Sequence, residues 1–282
     1  MIAFLGMGLL GSNFVKALRK RGETVRVWNR SPDKAKVLEA VGAQAFADVA
    51  EAVRGATRVH IVVSDDRAVD SVLEAALPGL TQGVVIVDHT TTSPPGVLER
   101  VQRWRERGIV YQHAPVFMGP QNALDSTGIM LISGERARYE ELQPALSPMT
   151  GKLVYLGEEP DRAAKFKLLG NAFLMFMTAG FSDFFALAKS MGISSQDAGT
   201  LFQSFNPGLT LTARLDRILR GNFAQPSWEL GMARKDARLM IEAADQSGTT
   251  LAVLPMIAQL MDSYIARGHE HDDWTIITKD NL

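Results

Sequence analysis

Met1-Ile2-Ala3-Phe4-Leu5-Gly6-Met7-Gly8-Leu9-Leu10-Gly11 is the stretch that decides the fold. Its first five residues form a short apolar run, as a buried parallel strand would, and the run ends at once in glycine. Gly6-Met7-Gly8-Leu9-Leu10-Gly11 is a GxGxxG, a spacing that chance also produces, so its meaning depends on context. Here it follows a strand and opens a helix. Backbone amides at the helix N-terminus can then face a pyrophosphate with no side chain in the way. Gly6, Met7, Gly8, Leu9, Leu10 and Gly11 are therefore expected to bind a dinucleotide.

Outward from this loop, short apolar runs alternate with amphipathic stretches up to Gly157. Thr24 to Trp28, Arg58 to Val63, Val84 to Val87, Val110 to His113, Gly128 to Ile132 and Lys152 to Tyr155 read as strands. Asn13 to Arg21 and Ser31 to Val41 read as helices, the second with Ser31-Pro32 as an N-cap and N1 pair. The alternation predicts an α/β fold with an N-terminal Rossmann dinucleotide-binding domain over residues 1–157, and the closer spacing of the later runs allows an antiparallel edge. Over residues 158–282 strand-like runs disappear, which predicts an all-α C-terminal domain. Asp161 to Met191 has no proline and is apolar almost all round, so it reads as one long interdomain helix of ~45 Å. A small helical domain cannot cover such a helix by itself, and a homodimer or homotetramer is expected.

Composition narrows the function. At 46% hydrophobic and 22% charged the chain is an ordinary globular sequence, and its net charge of -1 leaves no field to hold nucleic acid or an anionic membrane. The absence of cysteine removes thiolate nucleophiles and cysteine-based metal sites together. His269-Glu270-His271-Asp272-Asp273 reads as a solvated turn, and no metal is expected. There is no uninterrupted apolar run long enough for a membrane span and no basic n-region at the start, so a cytoplasmic protein is expected.

The end of the second strand should lie beside the adenosine ribose, where an acidic residue would hold the 2′-hydroxyl of NAD. This chain has Trp28-Asn29-Arg30-Ser31 there, followed by Lys34. Asn29, Arg30 and Ser31 put an amide, a guanidinium and a hydroxyl where a 2′-phosphate would sit, which points to NADP. The alternative for Arg30 is a solvated turn residue.

The glycine loop, Asp88-His89-Thr90-Thr91-Thr92-Ser93-Pro94, Ala114-Pro115-Val116, Lys167-Leu168-Leu169-Gly170-Asn171 and a later Lys235-Asp236 occur in the order found in the β-hydroxyacid dehydrogenases, the reductases related to 6-phosphogluconate dehydrogenase. The chain resembles that family over nearly its whole length. The resemblance implies a Rossmann domain followed by a helical domain, a site in the cleft between them, and a long helix that packs in dimers. It assigns Val63, Ser64 and Thr91 to the cofactor, Thr91 at the nicotinamide end, with Lys235 reaching toward it from the helical domain.

Hydride transfer to a carbonyl builds negative charge on oxygen, which calls for a cation or proton donor fixed beside it. Lys167 can supply this, and Asn171, four residues on and only ~40° round the helix, shares its face. Lys165 points ~200° away and serves as the contrast. Asp183, where the family usually has Glu, reads as a capping or pairing group. After Ala114-Pro115-Val116 the family usually shows a serine and glycines that hold a substrate carboxylate. Here Phe117, Met118 and Gly119 take those places, followed by Pro120, which lacks an amide donor. Similar bulky stretches occur among imine reductases. The expectation is an NADPH-dependent oxidoreductase of the β-hydroxyacid dehydrogenase type, with a small-molecule carbonyl or hydroxy substrate touching Phe117, Met118, Gly119, Lys167 and Asn171. The alternatives are an imine reductase and a catalytically silent cofactor-binding scaffold.

Overall fold

A computed structural model describes all residues from Met1 to Leu282 and divides them into two compact units, Met1–Asn171 and Ala172–Leu282. In the first, strands and helices alternate: β1 (Ile2–Leu5), α1 (Leu9–Lys20), β2 (Val25–Trp28), α2 (Pro32–Lys36), β3 (Gln44–Phe46), α3 (Val49–Val53), β4 (Arg58–Ile61), α4 (Asp66–Ala76), β5 (Val85–Asp88), α5 (Pro94–Glu106) and β6 (Val110–His113). The strands form one parallel sheet in the order β3-β2-β1-β4-β5-β6, the order of a Rossmann domain. Leu5 at the end of β1 lies between Trp28 and Ile61. Every residue of β1 is buried, and its side chains alternate between two cores. Phe4 packs with Phe14 and Leu18, whereas Leu5 packs with Ile61, Leu73 and Trp104.

The chain then forms β7 (Val116–Phe117), α6 (Pro120–Asp125), β8 (Ile129–Ile132), α7 (Arg136–Leu146) and β9 (Lys152–Tyr155). These strands make a separate sheet, β7-β8-β9, with β7 antiparallel to β8 and β8 parallel to β9. The antiparallel edge is β7. Neither β3 nor β7 stands out in the sequence, since three and two residues are too few to show a period.

Two local expectations change. Ser31 occupies the N-cap position of α2 but its hydroxyl makes no capping bond, and the helix tightens into a 3₁₀ turn from Val37 to Val41. The first compact unit also runs past Gly157 to Asn171. The reason is the start of α8 (Arg162–Ser190): Ala163 and Ala164 are buried, Ala164 joins the core of the Rossmann sheet, and the Ala163 amide donates to Ser133 Oγ.

In the second unit α8 continues and is followed by α9 (Ser195–Ser204), α10 (Leu211–Arg220), α11 (Leu230–Gln246) and α12 (Leu254–Ile265). Its core gathers Leu230, Ala233, Ala258, Met261, Tyr264 and Ile276. Asp183, whose partner the sequence left open, caps α12: its carboxylate accepts from the amides of Ala252, Val253 and Leu254 at 2.7 to 2.8 Å. Burial opposes the charge, but the three amides hold this carboxyl below the usual range. By length and composition alone α8 could cross a membrane, with a window of mean hydropathy 1.3. Its polar residues Lys167, Asn171 and Asp183 each find hydrogen-bond partners within the protein.

Candidate cofactor and active site

The glycine loop is built by close approach. Gly6 has φ +98°, and a Cβ there would fall 2.0 Å from the Val62 carbonyl oxygen, while one on Gly11 would fall 1.9 Å from the Gly6 oxygen. Only glycine lets α1 sit so near β1 and β4. Gly8 has nothing within 4 Å of where its Cβ would be, so its face is left open for a ligand. The first helical bond of α1 runs from Ser12 to Gly8, which leaves the Leu9, Leu10 and Gly11 amides without helical acceptors. Met7 differs from expectation. Its side chain is buried, and its amide already donates to Asn29 Oδ1 at 2.8 Å. Asn29 Nδ2 donates in turn to the Ser31 carbonyl, so Asn29 ties the glycine loop to the β2–α2 turn.

A cleft of about 390 Å³ opens at these strand ends. Gly6, Gly8, Leu9, Leu10 and Gly11 line one side of it. Asn29, Arg30, Ser31 and Lys34 line the second, and Val63 and Ser64 the third, with no carboxylate among the lining residues. Trp28, Val62, Ala68 and Val72 also contribute; sequence reasoning did not single them out, although each adjoins an expected strand or its following helix. Amides at a helix start beside an open glycine face fit the pyrophosphate of a dinucleotide.

Thr91 lies outside that lining, on the turn between β5 and α5. Thr90 and Thr92 on either side of it are buried, and Thr91 alone of the three is exposed. The Val63 amide donates to Thr90 Oγ1 at 3.1 Å, which connects this turn to the β4 end of the cleft. Lys235 is on α11 in the second unit, its ammonium 2.6 Å from the Asp236 carboxylate.

Lys167, Gly170 and Asn171 come together on one face of α8. Lys167 is buried, its Nζ donates to Asn171 Oδ1 at 3.0 Å, and it lies 4.3 Å from the centre of the Phe117 ring. Burial pulls this ammonium below the ordinary lysine range. Phe117 reaches the pair because residue 170 is glycine: a Cβ there would come within 2.3 Å of the ring. Lys165 is exposed and pairs with Asp161 at 2.9 Å, on another face. Beyond Phe117 the backbone offers few donors. The Gly119 amide is taken by Asn122 Oδ1 at 2.9 Å, and Pro120 is the first residue of α6. Met118 is half-buried and Gly119 exposed. Asn122 and Gln121 are both engaged locally, with Thr127 and Asp125.

A buried histidine chain behind the site escaped the sequence reading. Arg58 Nε donates to His60 Nε2 at 2.8 Å, His60 Nδ1 meets His89 Nε2 at 2.9 Å, and His89 Nδ1 meets the Ala114 carbonyl at 2.7 Å. Guanidinium only donates and carbonyl only accepts, so each ring carries its one proton on Nδ1 and both are neutral. The chain ends at Ala114, just before the segment that carries Phe117. Its one sequence signal is polar residues inside otherwise apolar strands.

Residues 1–157 match the NAD binding domain of 6-phosphogluconate dehydrogenase. The chain belongs to the β-hydroxyacid dehydrogenase family. The relatives of this family member include cytokine-like nuclear factor N-PAC of Homo sapiens, 34% identical over 251 residues that make up 86% of this chain and 44% of that protein. The chain thus spans about half the length of the N-PAC proteins it matches. 2-(Hydroxymethyl)glutarate dehydrogenase of Eubacterium barkeri is 24% identical over 283 residues, 99% of this chain and 93% of that one. Among solved structures, imine reductase from Myxococcus stipitatus in complex with NADP+ has a TM-score of 0.92 at 22% identity, covering 99% of both chains. At that identity the likeness establishes the shared fold.

Proposed function

We propose that this β-hydroxyacid dehydrogenase family member is an NADPH-dependent reductase of small carbonyl compounds, with Lys167 as the acid and Asn171 as its partner. The observation that carries the reading is the pair itself: a buried lysine bonded to Asn171 Oδ1 and laid over the Phe117 ring. A buried ammonium is costly unless it is used or paired, and here it adjoins an aromatic face rather than a carboxylate. NADPH would supply the hydride. Lys167 would hold a proton beside the oxygen that becomes negative, and its lowered proton affinity makes it the better donor. Because Asn171 Oδ1 accepts from Lys167, the Asn171 Nδ2 protons remain to bond the substrate oxygen.

NADP is preferred over NAD in this reading because Arg30, Ser31 and Lys34 line the cleft and no carboxylate is among its lining residues. The substrate is an aldehyde, ketone or imine with an apolar body, since the Phe117 ring and the engaged Gly119 amide leave no cradle for a carboxylate. Phe173, Leu174, Met175 and Phe176 on α8 are exposed in the single chain, which supports a homodimer or homotetramer.

The test is a panel of aldehydes, keto acids and imines followed by NADPH absorbance, with Lys167→Met beside the wild type. Turnover that falls ~100-fold or more in Lys167→Met, at unchanged NADPH affinity, is the expected result. Full activity in that variant removes Lys167 from the chemistry. A second reading is a cofactor-binding protein without turnover; the relatives at 34% identity are named as a nuclear factor and not as an enzyme. Tight NADPH binding with no oxidation by any panel member would establish that one instead.

A further inference from the structure

Behind the Thr90–Ser93 turn lies a fully buried arginine that the reduction chemistry does not use. Arg100, on α5, is 1% exposed, and its guanidinium reaches three groups: Asp66 Oδ1 at 2.5 Å, Asp70 Oδ2 at 3.3 Å and the Tyr111 hydroxyl at 3.0 Å. The Tyr111 hydroxyl donates to Asp88 Oδ2 at 2.5 Å. From there the two carboxylates turn outward to the same loop. Asp88 Oδ1 accepts from the Thr90 amide at 2.8 Å. Asp66 accepts from the Ser93 amide at 2.9 Å and from the Ser93 hydroxyl at 3.1 Å.

Both ends of the turn are thus anchored, and both anchors converge on Arg100, directly through Asp66 and by way of Tyr111 through Asp88. The threonines next to Thr91 are fixed as well, Thr90 by the Val63 amide and Thr92 by His113 Nε2 at 3.3 Å. Thr91 is what the clamp leaves facing solvent. Space is tight within the clamp: a Cβ on Gly96 would lie 2.3 Å from Asp66 Oδ1 and 3.0 Å from an Arg100 nitrogen. Burying a guanidinium this deeply is costly unless its partners are well placed, and removing one partner strands the others. A surface turn that needed only to join β5 to α5 would not call for it.

We propose that Arg100 is a positioning residue, which through Asp66 and through Tyr111 and Asp88 holds the Thr90–Ser93 turn so that Thr91 is presented to the nicotinamide end of NADPH. The inference rests on the reading above that Thr91 meets the nicotinamide. The clamp then sets the geometry of the cofactor's reactive end and not its adenine end, which is held by the glycine loop and Arg30.

The experiment compares dissociation constants for NADPH and for its nicotinamide-free analogue, 2′-phosphoadenosine diphosphoribose, in the wild type and in Tyr111→Phe, Arg100→Lys and Thr91→Ala. Tyr111→Phe removes one hydroxyl and keeps the ring, so its fold should survive; melting temperatures check this. Tyr111→Phe and Arg100→Lys are expected to weaken NADPH ~3- to 10-fold, the scale of one or two hydrogen bonds, with the analogue unchanged. Equal loss for both ligands would mean a merely structural role and would overturn the proposal. Wild-type NADPH binding in both clamp variants, with selective loss in Thr91→Ala, would overturn it too while leaving the Thr91 reading intact. If Thr91→Ala is silent and the clamp variants still lose NADPH selectively, it is the Thr91 reading that fails.

Discussion

The two units handle polarity in opposite ways. The Rossmann unit places charged and titratable groups inside, His60, His89, His113, Asp88 and Arg100, and bonds them to one another or to backbone. Most of its large apolar side chains fill two cores, although Leu9, Val37, Leu98 and Leu169 stand exposed. The helical unit buries few polar groups besides Asp183 and Asp273 but leaves large apolar ones in solvent, with Phe176 71% exposed and Leu209 84% exposed. The first unit therefore carries bonded polar groups inside its cores and is constrained in its protonation, with its exposed apolar groups fewer than those of the second. The second has a core of its own beneath a surface that calls for cover.

The largest effect expected from this contrast is on assembly. Covering a phenylalanine gains ~1.5 to 3 kcal/mol, and in a two-fold interface each substitution counts twice. Phe176→Ser should therefore weaken self-association by ~100-fold or more, seen by sedimentation over a concentration series. NADPH binding, if the cleft of the first unit carries it as proposed, should stay within a factor of about two. A compact wild-type monomer at all concentrations would mean that the exposed face of α8 needs no cover, and cofactor binding lost together with association would mean that the two units do not act separately.

Acid should strike the first unit. Burial holds His60 well below its ordinary value of 6.5, with the neighbouring His89 ring and Arg58 guanidinium also disfavouring its proton, and holds His89 down to about 4. His113 is lowered as well, again mainly by burial. Because the unfolded chain takes up these protons at higher pH than the native one, the stability they contribute is complete above pH 6.5 and is lost as pH falls toward about 4. His89 alone accounts for about 3 kcal/mol over that window, at 1.36 kcal/mol per unit. Urea melts at pH 7.5, 6 and 5 should show the decline. A flat profile would mean that water reaches the histidine chain.

The Rossmann strands and the long helix were legible because they depend on runs and periods that a sequence displays. Gly6 and Gly11 were legible because close approach permits nothing else. What stayed hidden depends on residues far apart in sequence. Asn29 sits where a ribose ligand was expected, and its bond back to Met7 arises only once β1 and β2 are paired. Asp183 needed α12 to show its role, and Arg100 needed three other elements. Pro120 read as a missing donor, whereas in the fold it is the ordinary first residue of a short helix.

Arg30→Ala should weaken NADPH by ~1.5 to 3 kcal/mol and leave NADH nearly unchanged, as expected for one lost charge-assisted contact to a phosphate. Titration by NADPH fluorescence reads this directly. Equal loss for both cofactors would return Arg30 to the role of a solvated turn residue and leave Ser31, whose hydroxyl makes no capping bond, and Lys34 to meet the ribose.

The smallest effect concerns Phe117. Replacing it with serine would offer one hydroxyl to a substrate carboxylate, worth ~1.5 to 3 kcal/mol for a bond to a charged group. The same change removes the ring from beneath the Lys167 ammonium, a cation–π contact 4.3 Å to the ring centre that contributes ~0.5 to 2 kcal/mol. It also opens space over Gly170, which the ring now fills. The two effects nearly offset each other, so the expected net gain is only about 1 kcal/mol, or roughly fivefold in kcat/KM, for a short keto acid. An uncharged ketone of the same size has no use for the hydroxyl and should lose activity through the disturbed lysine. The ratio of the two substrates is thus a cleaner measure than either rate. A wild type that already prefers the keto acid, and is impaired on it by Phe117→Ser, would show that the ring shapes an acid site. The carboxylate would then have to be held by groups other than Gln121 and Asn122, which are bonded locally to Asp125 and Thr127.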